Sequence, residues 1–304
     1  MLKLTGGLSY DELTFPANGD LPPVRNAKAH RSQFGPKGAL MLDPWPRGRF
    51  RFAYARSLGG LYFDNSVRLE PTQLAGFTHA FRSLLPESAT GLVPGTAFET
   101  LGVGFDQAFD SGTYIGLQAE RLRSDATREA GAFQNSTPIP LPEVPTWTRQ
   151  SLDFEERSLS VYANQLLGES WAFGVRYRLS EASFQGAFPD LPRNAAGLAD
   201  LEQDERSLLG QLQLFVVFNH SSGLFAQAYS DYIHQHNRGY EPARGGEALW
   251  QHHAFAGYRW PRHRAEIRIG LLNITDTDYR LSPLNAFVDP PRHRTATLSL
   301  KLNF

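Results

Sequence analysis

"RHRTATLSLKLNF", residues 292–304, alternates without a break once it passes Arg294. Ala296, Leu298, Leu300, Leu302 and Phe304 are apolar, while Thr295, Thr297, Ser299, Lys301 and Asn303 between them are polar. Successive residues of a strand point to opposite faces, so this stretch is a strand with one greasy face and one wet face. A soluble sheet uses such a strand once, over its core. A chain that repeats the pattern from end to end has more greasy face than a soluble core can cover.

The pattern does repeat. Phe50, Phe52 and Tyr54 alternate with Arg49, Arg51, Ala53 and Ala55; Leu101, Val103 and Phe105 alternate with Gly102, Gly104 and Asp106. Trp171, Phe173, Val175, Tyr177 and Leu179 stand against Ala172, Gly174, Arg176 and Arg178. Ala265, Ile267, Ile269 and Leu271 stand against Glu266, Arg268 and Gly270. No stretch has comparable 3.6-residue periodicity, so the reading is all-β. Strands are expected near 2–13, 36–43, 49–57, 97–109, 112–125, 149–167, 170–185, 203–219, 223–237, 247–260, 264–274 and 291–304.

The connections sort into two kinds. Short turns at 44–48, 110–112, 168–170, 220–222 and 261–263 alternate with long segments at 14–35, 58–96, 127–146, 186–202, 238–246 and 276–290. Short turns at one end and long loops at the other are the pattern of a transmembrane β-barrel. The expectation is therefore an antiparallel barrel of about twelve strands, with both chain ends on the short-turn, periplasmic side. "LEPTQLAGFTHAF" (69–81) leaves two alternatives open: a further hairpin raising the count to fourteen, or a long outer loop folded into the lumen. A barrel has no edge, so the last strand is expected to pair with the first. Trp171, Trp250, Trp260, Tyr177 and Tyr258 are expected to face lipid near the interfaces.

Composition agrees with an envelope protein. The 304 residues carry a net charge of −1, which gives no support to a nucleic-acid partner. There is no cysteine, which excludes a disulfide framework and Cys-ligated metal or iron–sulfur sites. "MLKLTGGLSYDEL" (1–13) already reads as a strand, so a periplasmic portion is expected to precede it and 1–304 to be the barrel domain.

"GLLNITDTDYRLSPLN" (270–285), followed by the last strand, resembles the carboxy-terminal signature of TonB-dependent outer-membrane receptors, with Asn273, Ile274, Asp276 or Asp278, and Tyr279 matching loosely. "FGPKGALMLDPWPRGRFRFAYARSL" (34–58) is similar to the hairpin pattern of those receptors. "RLEPTQLAGF" (68–77) is similar to envelope proteins that join tetratricopeptide repeats to such a barrel. The resemblance implies a receptor-like barrel in the outer membrane of a Gram-negative cell. It does not extend to a plug domain or a TonB-box segment, so TonB coupling is not implied, and it carries no ligand. The expected function is binding or transport of a solute or polymer across that membrane, with outer-membrane lipid as surroundings. The alternative is a membrane anchor or export pore working with a periplasmic repeat domain or partner protein.

The residues expected to line the lumen are Arg49, Arg51, Asp106, Glu120, Arg176, Arg178, Glu266 and Arg268. They either select solutes by charge or pair with one another in an interior that is polar as a class. His234 and His236 share a strand face, and His252 or His253 lies on the next strand, but no third ligand is fixed by spacing and no metal or other cofactor is expected. Thr275–Asp278 lacks the spacing of a calcium loop and reads as a turn. No Ser–His–acid motif is present, so no enzymatic activity is expected. The two "PRHR" copies, at 261–264 and 291–294, fall at opposite ends of the expected barrel and share no role.

Overall fold

The structure is a computed structural model and describes residues 1–18, 22–59, 73–78, 84–85, 93–134, 144–193, 201–260, 264–282, 284 and 290–302. Fourteen strands follow the chain: β1 (Leu2–Asn18), β2 (Arg25–Trp45), β3 (Gly48–Gly59), β4 (Gln73–Leu74), β5 (Phe77–Thr78), β6 (Thr96–Ala108), β7 (Thr113–Gln134), β8 (Val144–Leu167), β9 (Trp171–Ala187), β10 (Gln203–Asn219), β11 (Leu224–Arg238), β12 (Glu247–Arg259), β13 (Ala265–Leu272) and β14 (Thr295–Leu302). Twelve of them form one meander in chain order, all pairs antiparallel; β4 and β5 pair only with each other. The short connections gather at one end. Both chain ends lie there too: Met1 exchanges backbone hydrogen bonds with Asp43, and Leu302 stands opposite Ala265. The turn at 261–263 lies outside the described residues.

Register fixes two faces. Val161, Tyr177 and Leu212 lie in one row, and so do Ser160, Arg178 and Gln211 in the next. The first row belongs to the outward face, where Leu101, Val103, Leu117, Leu159, Val161, Phe173, Val175, Leu214, Ile269 and Leu298 are all exposed. From Leu159 to Leu167, whose outward row is apolar except for Gln165, β8 advances about 26 Å at ~3.3 Å per residue, comparable to an apolar belt of roughly 25 Å before tilt shortens it. Aromatic residues edge the belt at the short-turn end: Trp45 with Phe50 and Phe105, Trp171 with Phe218, and Tyr258 with Trp260. Toward the long loops the same outward rows become charged. Arg121, Arg123 and Arg157 all donate to Glu155, and Tyr54 donates to Glu99. Tyr177 and the Tyr232–Trp250 pair lie near that transition. Trp171, Trp250, Trp260 and Tyr177 are exposed on the outward face, and Tyr258 packs edge-on against Trp260 beside them.

The inner face has two tiers. Toward the short turns it is polar. Toward the long loops it is apolar: Leu122, Leu152, Phe154, Ala182, Phe184, Leu209, Ile233 and Leu249 are buried in one cluster. Leu84, Leu85 and Val93 from the segment between β3 and β6, and Tyr279, Leu281 and Leu284 from the segment before β14, complete that cluster. Burial of this apolar area at about 25 cal/mol per Å² is what holds both segments against the wall.

Three expectations change. First, 14–35 and 127–146 are largely strand rather than loop: β1 and β2 run to Asn18 and from Arg25, and β7 and β8 run to Gln134 and from Val144. In their outer ends apolar residues such as Ala17, Ala126, Phe133 and Trp147 are scattered among polar ones, so the ladder continues where regular hydrophobic alternation has stopped. Second, among the described residues the segment between β3 and β6 adds no strand to the wall. Its hairpin, β4–β5, turns through Ala75 and Gly76, both at positive φ as a two-residue hairpin turn requires, and packs on the inner face. Third, among the described residues β14 does not pair with β1. The outer half of the β1–β2 hairpin leans toward β7 instead: Arg31 meets Asp125 at 2.5 Å, and Pro22 and Pro23 pack on Gly131.

Candidate functional site

All eight residues expected to line the lumen lie on the polar rows, those that face the inserted segments. Most are engaged in holding the wall together. Arg51 donates from Nε to Asp106 Oδ2 at 2.7 Å and from Nη1 to the Ala75 carbonyl at 3.0 Å, and its guanidinium lies 5.0 Å from the centre of the Phe77 ring. Asp106 also accepts from the Tyr162 hydroxyl at 2.8 Å. One ion pair of the wall thus grips both turn and ring of the inserted hairpin. Gly102 makes the fit possible, since a Cβ there would overlap the Phe77 ring. Arg49 forms a two-point pair with Asp43 at the rim, Glu266 accepts from Arg259 at 2.7 Å, and Glu120 accepts from Gln118 at 2.5 Å.

Arg176, Arg178 and Arg268 are different. They line one cavity of about 500 Å³ on the inner face of β9 to β13. Arg178 donates to the hydroxyls of Ser158 and Ser180, both at 3.3 Å. Arg268 lies over the Phe255 ring at 3.8 Å, and its Nε is buried without a hydrogen-bond partner. Asp231 is the carboxylate of the cavity; its oxygens accept from Gln213 at 2.9 Å and meet His253 Nε2 at 3.3 Å. The Nδ1 of His253 accepts the Asn273 backbone N–H, so the ring proton sits on Nε2 and points at Asp231.

Pro290 and Pro291 close the cavity from the loop side. Asn273 fastens them. It is fully buried at φ 48°, a left-handed conformation that asparagine tolerates better than most residues. Its Nδ2 lies 3.0 Å from both the Thr277 and the Pro291 carbonyls, and its Oδ1 accepts the Thr277 N–H at 2.9 Å. Gln251 donates to the same two carbonyls, and the Tyr279 hydroxyl donates to the Pro290 carbonyl at 2.6 Å. The stretch Asn273–Tyr279 is therefore a staple across the last connection.

Alternation in the sequence places Arg176, Arg178 and Arg268 on one face, but it does not show that β9 and β13 contribute to one cavity, nor that Asp231, Phe255 and Pro291 join them. His234, His236 and His252 are on outward rows, whereas His253 points inward. His234 stacks on Tyr232 and His252 on Trp250, in the aromatic zone of β11 and β12.

No protein-family model matches the chain, and no curated protein sequence does. Solved structures do match in fold. The FpvAI–pyocin S2 complex aligns with 80% of this chain and 34% of its own, at 13% identity and a TM-score of 0.53. P. aeruginosa FpvA bound to heterologous pyoverdines aligns with 80% of this chain and 35% of its own, also at 13% identity and 0.53. The chain spans about a third of the length of these structures. What it shares with them is the fold.

Proposed function

We propose that the chain forms the wall of an outer-membrane transport barrel of a Gram-negative cell, receptor-like in that the described parts of its own segment 60–94, the β4–β5 hairpin with Leu84, Leu85 and Val93, sit on the inner face. The observation that carries this reading is the seating of that segment. Phe77 is held on the wall by Arg51 and Gly102, and Leu84, Leu85 and Val93 are buried among inner-face residues of β7 to β12. The outward apolar belt, with its aromatic edges, supports the membrane setting. In lipid both outer edges of the sheet, β1 and β14, take partners, because unpaired backbone groups are costly there. The proteins of similar fold are described as bound to pyocin S2 and to pyoverdines, which supports a binding role ahead of an open sieve.

Gly95 donates its backbone N–H to the Gly59 carbonyl at 3.1 Å, so a short turn can replace 60–94 without moving β3 or β6. Planar-bilayer recordings of that deletion are expected to show a several-fold rise in single-channel conductance over the parent. Equal conductance would mean that the segment does not obstruct the lumen.

A further inference from the structure

We propose that the cavity under Pro290 and Pro291 is a binding site for a small organic anion: an oxyanion head, carboxylate or phosphate, on an apolar body. The inference rests on the transport reading and adds the class of ligand. Arg176 and Arg178 lie two residues apart on the same face of β9, about 6.6 Å along the strand, and Arg268 faces them from β13. Among the described residues of the lining there is one carboxylate, Asp231, whose oxygens are engaged by Gln213 and His253. Glu266, next along the inner row of β13, is engaged by Arg259. Among the described residues Arg176 and Arg268 alone outnumber the Asp231 carboxylate, in a partly enclosed space where charge pairs are screened less than at the surface.

Arg268 adds geometry. Phe255 supports its guanidinium plane from beneath, which fixes the direction of its donors, and the buried Nε still lacks an acceptor. A carboxylate or phosphate oxygen supplies one, and guanidinium groups match both heads in a two-point arrangement. Apart from Gln211 and the Gln213 and His253 that engage Asp231, the remaining walls are apolar or aromatic, among them Tyr229, Ile233, Phe255, Leu272 and the two prolines. Tyr229 stands edge-on to Phe255 at 6.0 Å. A cavity of about 500 Å³ has room for a ring-sized body, within the range of ordinary ligand sites. A bare inorganic anion would leave that apolar wall uncovered, which is why the ligand class is an organic anion.

The test is isothermal titration of the refolded chain in a zwitterionic detergent with four probes: benzoate, phenyl phosphate, benzylamine and acetate. Benzoate or phenyl phosphate is expected to bind at least about tenfold more tightly than benzylamine, which has the ring with opposite charge, and than acetate, which has the head without the ring. The tighter of the two identifies the head. Arg176→Gln, a modest change at an exposed guanidinium, is expected to weaken the preferred anion by about tenfold and leave benzylamine unchanged. The double variant Arg176→Gln with Arg268→Gln is expected to abolish the preference. Benzylamine binding as tightly as both anions in the parent, or full anion affinity in Arg176→Gln, would overturn the proposal. The conductance of the 60–94 deletion does not depend on these probes. A conductance rise without anion binding rejects this site alone, whereas anion binding without a conductance rise rejects the lumenal obstruction and leaves the site.

Discussion

Val175→Arg is expected to destabilise the protein in a phospholipid bilayer by about 2–4 kcal/mol, the cost of an arginine at the lipid-facing midplane of a barrel. Val175 is midway along the outward row of β9, between Trp171 at the short-turn end and Leu179 below the charged zone. Its neighbours directly across the strands are Ala163 and Leu214, both on outward rows, so no polar group stands directly opposite to receive a guanidinium. The opposite face of the same strand already carries Arg176 and Arg178. Ala172→Arg, on that inner face, is expected to cost less than about 1 kcal/mol, because lumenal positions tolerate charge. Urea titration of the protein folded in vesicles measures both. Equal costs would mean that the two faces meet similar surroundings.

Asn273→Ala is expected to cost about 4 kcal/mol, from three lost hydrogen bonds of about 1 kcal/mol each and a further ~1 kcal/mol for alanine at positive φ. The Thr277 and Pro291 carbonyls keep Gln251 as donor, whereas the Thr277 N–H loses the oxygen that accepts it. Asn273→Gly removes the same side chain and relieves the backbone, so it is expected to cost roughly 1 kcal/mol less than alanine. The same urea titration separates the two variants. If glycine and alanine are equally mild, the staple adds little to the last connection.

Much of this wall was legible in the sequence, for a simple reason. In a membrane strand each outward position meets lipid, so alternation is written at every second residue; that set twelve wall strands, the sharing of one face by Arg176 and Arg178, and the outward aromatics. The signal stops where polar and apolar residues no longer alternate. Thr14 and His30 face each other across β1 and β2, and Arg128 donates to Gln150 across β7 and β8, so those outer ends read as loops. The inner face misled in the other direction. Phe154, Phe184 and Leu209 break the expectation of a polar interior because they cover Leu84, Leu85 and Leu284, which come from connections and not from strands. The stretch 69–81 left a further wall hairpin and an inserted loop both open, because nothing local in it says whether a hairpin there lies on the wall or within it. The cavity was half visible: its arginines follow from alternation, while its apolar walls and its prolines depend on how β9 to β13 curve and on the staple at Asn273.

The most direct test of the two-faced wall is a nitroxide scan along β9 from Ala172 to Leu179 in lipid vesicles, comparing collisions with oxygen, which partitions into lipid, and with a water-soluble nickel chelate. Labels at Phe173, Val175, Tyr177 and Leu179 are expected to favour oxygen, and labels at Ala172, Gly174, Arg176 and Arg178 to favour the chelate or to be shielded from both, a period of two along the strand. Oxygen preference at the even-numbered positions, or no alternation at all, would contradict a membrane wall whose greasy face is turned to lipid.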